Sequence, residues 1–281
     1  MSVRERRGVL VDTVTDAGTA LESVPRPLLR LTSVLGLFVV WWAFVRVGVL
    51  GFGFFVSPVE ALSAVGSHLF GEPVADGETI HLHAGYTAGR VFAGTALAVA
   101  VAVPLGLAIG VSELLERYLY PVVELLRPIP PIAWVPLALV TFPTTRAGVL
   151  FVVFLGAFFP TLVNAARGVA AVDVEYRRAA ASLGASDGQI LRHVLLPSAL
   201  PAILTGVSIG IGIGWITVVA AEMITGRFGL GHVIFQAYRL VDIESVVVGM
   251  IAVGVLGWLS TAAVARIGSF ATPWLDGGEL R

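Results

Sequence analysis

The stretch Pro197-Ser-Ala-Leu-Pro-Ala-Ile-Leu-Thr-Gly-Val-Ser-Ile-Gly-Ile-Gly-Ile-Gly-Trp-Ile-Thr-Val-Val-Ala-Ala-Glu-Met223 carries no charge before Glu222. Crossing a hydrocarbon core takes roughly 20 apolar residues of helix, and this block is long enough. It is continuously apolar rather than alternating, which is how a lipid-embedded helix reads and a barrel strand does not. Gly206, Gly210 and Gly214 recur every four residues and so share one helix face, where the missing side chains let another backbone come close. The spacing predicts a tight helix–helix contact, either within one chain or between two copies.

Five further blocks of this kind lie outward from it, at about 31–51, 86–111, 119–142, 148–169 and 245–267. The expected fold is an all-α integral membrane protein of six transmembrane helices. Composition agrees: 57% of the 281 residues are hydrophobic, 13% are charged, and the mean hydropathy is +0.90. A soluble domain is typically about half apolar and a quarter charged; this chain has too few charges to cover a water-facing surface. A net charge of −1 points to no nucleic-acid partner, and the absence of Cys excludes disulfides, thiolate metal sites and a Cys nucleophile. The first apolar block follows a polar segment of about thirty residues and exceeds a signal peptide's apolar region, so it is expected to stay as a span.

The arginines set an orientation. With the N-terminus inside, Arg4, Arg6, Arg7, Arg26, Arg30, Arg117, Arg127, Arg167, Arg177, Arg178, Arg192, Arg266 and Arg281 fall on the cytoplasmic side. Arg46, Arg90, Arg146, Arg227 and Arg239 fall outside or at outer span ends. Both termini are therefore expected in the cytoplasm of a multi-pass cell-membrane protein. Its parts are a cytoplasmic segment (1–30), a first span (31–51), an outer loop (52–85), a five-helix core (86–270) and a cytoplasmic tail (271–281). In the outer loop, Val59, Leu62, Val65 and Leu69 have helical spacing, which suggests a short surface helix. His68, His81 and His83 also lie there; the two-residue spacing of His81 and His83 splits them between helix faces, so solvated or interfacial histidines are expected rather than a metal site.

The third block contains Pro121, Pro128, Pro130, Pro131 and Pro136. Each proline removes a backbone donor and crowds the carbonyl one turn back, so this span must kink or unwind. Unwound backbone is tolerated in a membrane only against protein or a water-filled cavity. Two readings stand: a re-entrant bend, or a gate with Pro130, Pro131 and Trp134 lining a pathway. Trp215 and Glu222 are further pathway or gate candidates; Arg46, at a span end, has snorkelling to the interface as its simpler explanation, while for Arg90 anchoring and a functional role both stand.

Between the fourth and fifth blocks runs Asp173-Val-Glu-Tyr-Arg-Arg-Ala-Ala-Ala-Ser-Leu-Gly-Ala-Ser-Asp-Gly-Gln-Ile-Leu-Arg-His-Val-Leu-Leu-Pro197. Asp173 can cap a helix in which Tyr176, Ala179, Ala180 and Leu183 share a face while Arg177 and Arg178 point away. Gly184 stops it. After Ala185, Ser186 and Gln189 form a capping-box pattern that starts a second helix, and Pro197 suits the first turn of the next span. Two short amphipathic helices broken by glycine are expected at the inner membrane face. On spacing alone they are either an ordinary connecting loop or a docking surface.

The stretch resembles the signature loop of binding-protein-dependent ABC importer permeases: Glu-Ala-Ala, three residues, Gly, nine residues, Ile-x-Leu-Pro. Here Arg178-Ala179-Ala180 precedes Gly184, and Val194-Leu195-Leu196-Pro197 follows nine residues later, with Arg replacing Glu and Val replacing Ile. The run Arg127-Pro-Ile-Pro-Pro-Ile-Ala-Trp-Val-Pro is similar to the third-span signature of the nitrate/sulfonate/taurine/bicarbonate branch. So are Ala221-Glu222-Met223, Gly229-Leu230-Gly231 and Pro273-Trp274. The resemblance implies a type I ABC importer permease. Residues 176–180 and 183–186 (Tyr176, Arg177, Arg178, Ala179, Ala180; Leu183, Gly184, Ala185, Ser186) would form a coupling helix docking on a separate ATP-binding subunit. It also implies an extracytoplasmic solute-binding protein and a second copy of the chain as partners. The chain would bind no cofactor and have no catalytic residue, ATP and Mg being used by the partner. The sequence agrees in lacking the lysine a phosphate loop requires. A thiamine-precursor pyrimidine is the alternative solute. An ion-coupled secondary transporter is the competing class, and the midplane ionisable residues it needs are not evident in the last four blocks.

Overall fold

A computed structural model describes residues 26–48, 55–74, 76–225 and 227–276. Most of the N-terminal segment, the end of the first block and the last five residues, with Arg4, Arg6, Arg7 and Arg281, lie outside the described residues. The described residues form helices α1 (Arg26–Val47), α2 (Pro58–Leu69), α3 (Ile80–Val111), α4 (Glu113–Leu126), α5 (Val135–Thr141), α6 (Thr145–Ala170) and α7 (Val174–Ser182). These are followed by α8 (Asp187–Thr225), α9 (Leu230–Leu240), α10 (Ile243–Ala271) and the single turn α11 (Pro273–Asp276). Among the described residues there is no strand beyond an isolated bridge, Pro73 to Thr79.

The chain divides into two units, 1–64 and 65–281. In the first, α1 has an apolar stretch of 17 residues, Leu31–Val47, at the short end of what spans a membrane (~17–25 residues). Arg46 stacks over Trp42 one turn back, 5.6 Å from its ring centroid, as an interfacial anchor does. Ser57 and Glu60 exchange bonds at the start of α2: the Ser57 N–H donates to Glu60 at 2.7 Å, and these bonds hold the Glu60 carboxyl below its usual range.

In the second unit α3, α6, α8 and α10 are each long and apolar enough to cross a membrane, and α6 is the most buried of them. One face of α6 packs on α3, where Ala102 and Ile109 meet Leu162 and Ala166; the other packs on α8, where Ala165 and Val169 meet Leu195, Ala199 and Ile203. Small residues make this closeness possible. A Cβ on Gly106 would lie 2.7 Å from the Leu162 carbonyl oxygen, and one on Gly210 would lie 3.0 Å from that of Ala157. The periodic face of Gly206, Gly210 and Gly214 therefore meets α6 and α3 of the same chain, while Gly212, on the opposite face, has nothing within 4 Å. This decides the question left open by spacing: the glycine contact is within the subunit.

The proline-rich third block is not one helix. α4 ends at Leu126, four residues pass without helix, Pro131–Trp134 forms a 3₁₀ turn, and α5 departs at 86° to α4. Pro128 and Pro130 withhold donors where the chain turns. The 3₁₀ turn packs on α6 and α8. Pro130 is exposed, while Pro131 and Trp134 are half-buried.

The second helix of the 173–197 segment is also not separate. It runs unbroken into the fifth span, so Pro197 sits inside a 39-residue helix rather than in a first turn. The adjustment is a π segment, Leu191–Leu195, in which the Leu196 N–H reaches five residues back to the Leu191 carbonyl. A proline removes a donor and pushes against the preceding turn, and the wider turn relieves that contact without ending the helix. Ser198 Oγ donates to the Val194 carbonyl, four residues back, at 2.7 Å.

Candidate functional site

Two places carry the sequence-derived residues: the α7–α8 corner and the far end of α8. At the corner, α7 buries none of its residues. Asp173 sits at the N-cap position without a side-chain bond, its carbonyl accepting from the Tyr176 N–H. Tyr176 is 65% exposed and Leu183 is 88% exposed; Ala179 is exposed and Ala180 half-buried. Tyr176, Ala179 and Leu183 of the apolar face expected from spacing are thus turned outward, while Ala180 is partly covered beside α8.

Gly184 closes the helix at φ +83°, a left-handed conformation that costs other residues about 1–2 kcal/mol. The Gly184 N–H donates to Ala181 and the Ala185 N–H to Ala180, which satisfies the last carbonyls. The Ser186 N–H then donates to Gln189 Oε1 at 2.8 Å, starting α8. Ala180, Leu183, Gly184 and Ala185 line a concave cleft with His193 and Val194 of α8. One expectation is corrected. Arg177 does not point away: it turns back, its Nη2 donating to the Val169 carbonyl near the C-terminus of α6. The Val169 carbonyl also accepts from the Val172 N–H at 3.2 Å, and the negative end of the helix favours a cation there. Arg178 is exposed.

The far end of α8 holds Glu222, a pathway or gate candidate by sequence. Glu222 is fully buried. Its carboxylate accepts from Arg90 Nη1 at 2.6 Å, from Thr87 Oγ1 at 2.9 Å and from the Gly231 N–H at 3.1 Å. Arg90 Nη1 also donates to the Phe228 carbonyl, and Thr87 Oγ1 accepts from the Leu230 N–H at 2.8 Å. Burying a carboxylate is affordable only when it is paired and fully bonded, and here it is. The clamp ties α3 and α8 to the turn before α9. Gly229 turns there at φ +127°, and a Cβ on Gly231 would lie 2.2 Å from the Val219 carbonyl oxygen.

Beside the clamp lies a second network. The Gly229 N–H donates to His83 Nδ1 at 3.1 Å, so the other ring nitrogen, Nε2, donates to Asp76 Oδ1 at 3.2 Å. His232 Nε2 is 3.6 Å from the same carboxylate. Burial is the main cause that holds the His232 imidazolium below its usual range, the neighbouring His83 adding to it and Asp76 opposing it. Two of the three loop histidines are thus not solvated: His83 is fully buried, and His68 is buried with its Nδ1 against the Glu72 carbonyl. Only His81 is exposed. Among the described residues no group of three metal-ligating side chains forms. Trp215 is buried, its Nε1 donating to Ser260 Oγ at 3.2 Å, which makes it an α8–α10 packing residue.

Sequence reasoning marked Glu222, Arg90 and the Gly229-Leu230-Gly231 turn separately. It missed Thr87, Asp76, His83 and His232 as partners. Thr87 stands 135 positions from Glu222, and no periodicity links residues so far apart.

With this geometry in place, comparison with known proteins gives a consistent answer. Residues 102–275 match the family described as binding-protein-dependent transport system inner membrane component. The taurine transport system permease protein TauC of Escherichia coli (strain K12) is 32% identical over 246 residues, 88% of this chain and 89% of that protein. The nitrate import permease protein NrtB of Leptolyngbya laminosa is 38% identical over 184 residues, 66% of this chain and 66% of its own length. A solved chain of the MetNI methionine ABC transporter, in an inward-facing conformation, superposes with a TM-score of 0.57. It covers 68% of this chain and 94% of the other at 22% identity, and so speaks to the fold.

Proposed function

The chain belongs to the binding-protein-dependent inner-membrane components, the multi-pass permease subunits of ABC importers, and from that premise we propose how it is driven and what it carries. The exposed face of α7 docks on a separate ATP-binding subunit, which hydrolyses the ATP. Two copies of the chain form the pathway. A solute-binding protein delivers a small oxyanion to the outer mouth: nitrate, a sulfonate such as taurine, or bicarbonate. Both termini lie in the cytoplasm.

The observation that carries this reading is the α7 corner: a nine-residue helix with no buried residue, presenting Tyr176 and Leu183 to solvent. Large apolar side chains held out on a well-capped corner suit a partner's groove. The short turn at Gly184 makes the corner rigid enough to transmit a push into the unbroken α8. Arg178, where the family pattern has Glu, is exposed and free to meet an acidic group on the partner.

The test is Leu183→Arg in the permease co-expressed with an ABC ATP-binding subunit that co-purifies with the wild-type chain. The variant should keep its thermal stability, since Leu183 touches little of its own chain, while co-purification of the ATPase and solute-stimulated transport fall together. A complex that assembles and transports at the wild-type rate refutes the docking assignment.

A further inference from the structure

At the same end of the bundle as the Glu222 clamp, Gly85, Tyr86, Gly89 and Arg90 of α3 face Arg146 and Leu150 of α6 across a cavity of about 150 Å³. Two of its six lining residues are arginines, an unusual share for a chain with 18 basic residues in 281. The floor is open because Gly85 and Gly89 carry no side chain, and among the described residues a Cβ at either position would meet nothing within 4 Å.

The charge balance matters. Arg90 is neutralised by Glu222, but that carboxylate is fully buried behind it, and both Arg90 bonds are made by Nη1. Among the described residues, Nε and Nη2 of Arg90 make no hydrogen bond. Tyr86 lies against the Arg90 guanidinium, 5.7 Å from its ring centroid, and stacks on Phe228, so the guanidinium is held in place from two sides. Among the described residues Arg146 makes no ion pair. The cavity therefore carries about one uncompensated positive charge, displayed as guanidinium edges whose fork matches an oxyanion's geometry. A water occupies about 30 Å³ of liquid and a drug-sized ligand needs roughly 300–1,000 Å³. The space thus fits a solute of a few heavy atoms.

The geometry points to a receiving site for one small monovalent oxyanion at this cavity, with Arg146 as the capturing residue and Arg90 as a preset second donor. The site would accept nitrate, bicarbonate or the sulfonate end of a small zwitterion and disfavour a neutral pyrimidine. This deepens, and rests on, the reading of the chain as an oxyanion permease. The clamp then has a second consequence: by fixing Arg90, Glu222 positions a donor without facing the anion.

The test uses the purified permease bound to its ATP-binding subunit. Phenylglyoxal modifies accessible guanidiniums, and peptide mass spectrometry reads Arg146 and Arg239 separately; both are exposed, and Arg239 serves as the control. Sodium nitrate at millimolar concentration should slow modification of Arg146 by about tenfold and leave Arg239 unchanged, while urea at the same concentration protects neither. Gly89→Leu, which fills the cavity without removing a charge, should abolish the protection. In proteoliposomes supplied with the solute-binding protein, Arg146→Gln should raise the KM for anion uptake by about tenfold, a loss of about 1.4 kcal/mol in kcat/KM. Equal protection of both arginines, or protection surviving Gly89→Leu, overturns the site. If anions are transported with KM unchanged in Arg146→Gln, the site fails while the oxyanion reading stands. If Arg146 is protected in a complex that imports only an uncharged solute, the oxyanion reading fails and the site stands.

Discussion

Replacing Glu222 with alanine tests the clamp most directly. The side chain is fully buried and ends three donations at once: from Arg90, from the Thr87 hydroxyl and from the Gly231 N–H. Removing one partner of a buried ion pair typically costs about 3–5 kcal/mol, because the other charge remains desolvated. The orphaned Gly231 N–H adds about 1–3 kcal/mol, since backbone cannot swing away, whereas the Thr87 hydroxyl can rotate to another acceptor. Arg90 keeps its bond to the Phe228 carbonyl and is 14% exposed, so part of its charge can reach water. Balancing these, Glu222→Ala should cost about 4 kcal/mol, which for a chain of this size lowers Tm by roughly 8–16 °C. The double variant Arg90→Met/Glu222→Met replaces the pair with apolar side chains of similar length. It should be more stable than Glu222→Ala by about 2 kcal/mol, because no charge is left unpaired. The assay is thermal unfolding of the purified protein in one detergent, arranged as a double-mutant cycle with Arg90→Met and Glu222→Met as the singles. If Glu222→Ala falls within about 1 kcal/mol of wild type, or if the double variant costs the sum of the two singles, the clamp is not a coupled buried pair and the reasoning is wrong.

Two further outcomes follow from other parts of the structure. Gly210→Ala should destabilise the fold, because its Cβ would press on the Ala157 backbone at 3.0 Å, while Gly212→Ala should be neutral or gain up to about 1 kcal/mol of helix propensity; equal effects in thermal melts would refute the packing assigned to the glycine face. His232 has its folded-state pKa held below the ordinary value of 6.5. The unfolded chain therefore binds the extra proton first, and stability, complete above about pH 6.5, is lost as pH falls from there through the folded value. Melting temperatures measured between about pH 8 and pH 5 should fall on acidification, and the fall should shrink in His232→Gln; an unchanged slope in that variant would remove His232 from the account.

The sequence by itself determined residence in a membrane, the order of the apolar blocks and the corner at Gly184. Each of these depends on neighbours in the chain: run length against bilayer thickness, four-residue periodicity, and the backbone freedom of one glycine. The break after Leu126 was legible too, because proline acts on its own turn. Local rules failed where two parts of the chain compete or meet. Pro197 reads as a helix start, yet packing of Leu195 and Ala199 against α6 keeps one helix running and a π turn absorbs the misfit. Glu222 reads from the sequence as a pathway or gate candidate near the end of a span. Only the folded bundle brings Thr87 and Arg90 from one helix, and the Gly231 amide from a turn, to the same carboxylate. A buried charge is tolerable only with such partners, and their convergence is set by how α3, α6 and α8 pack, which no window along the chain contains.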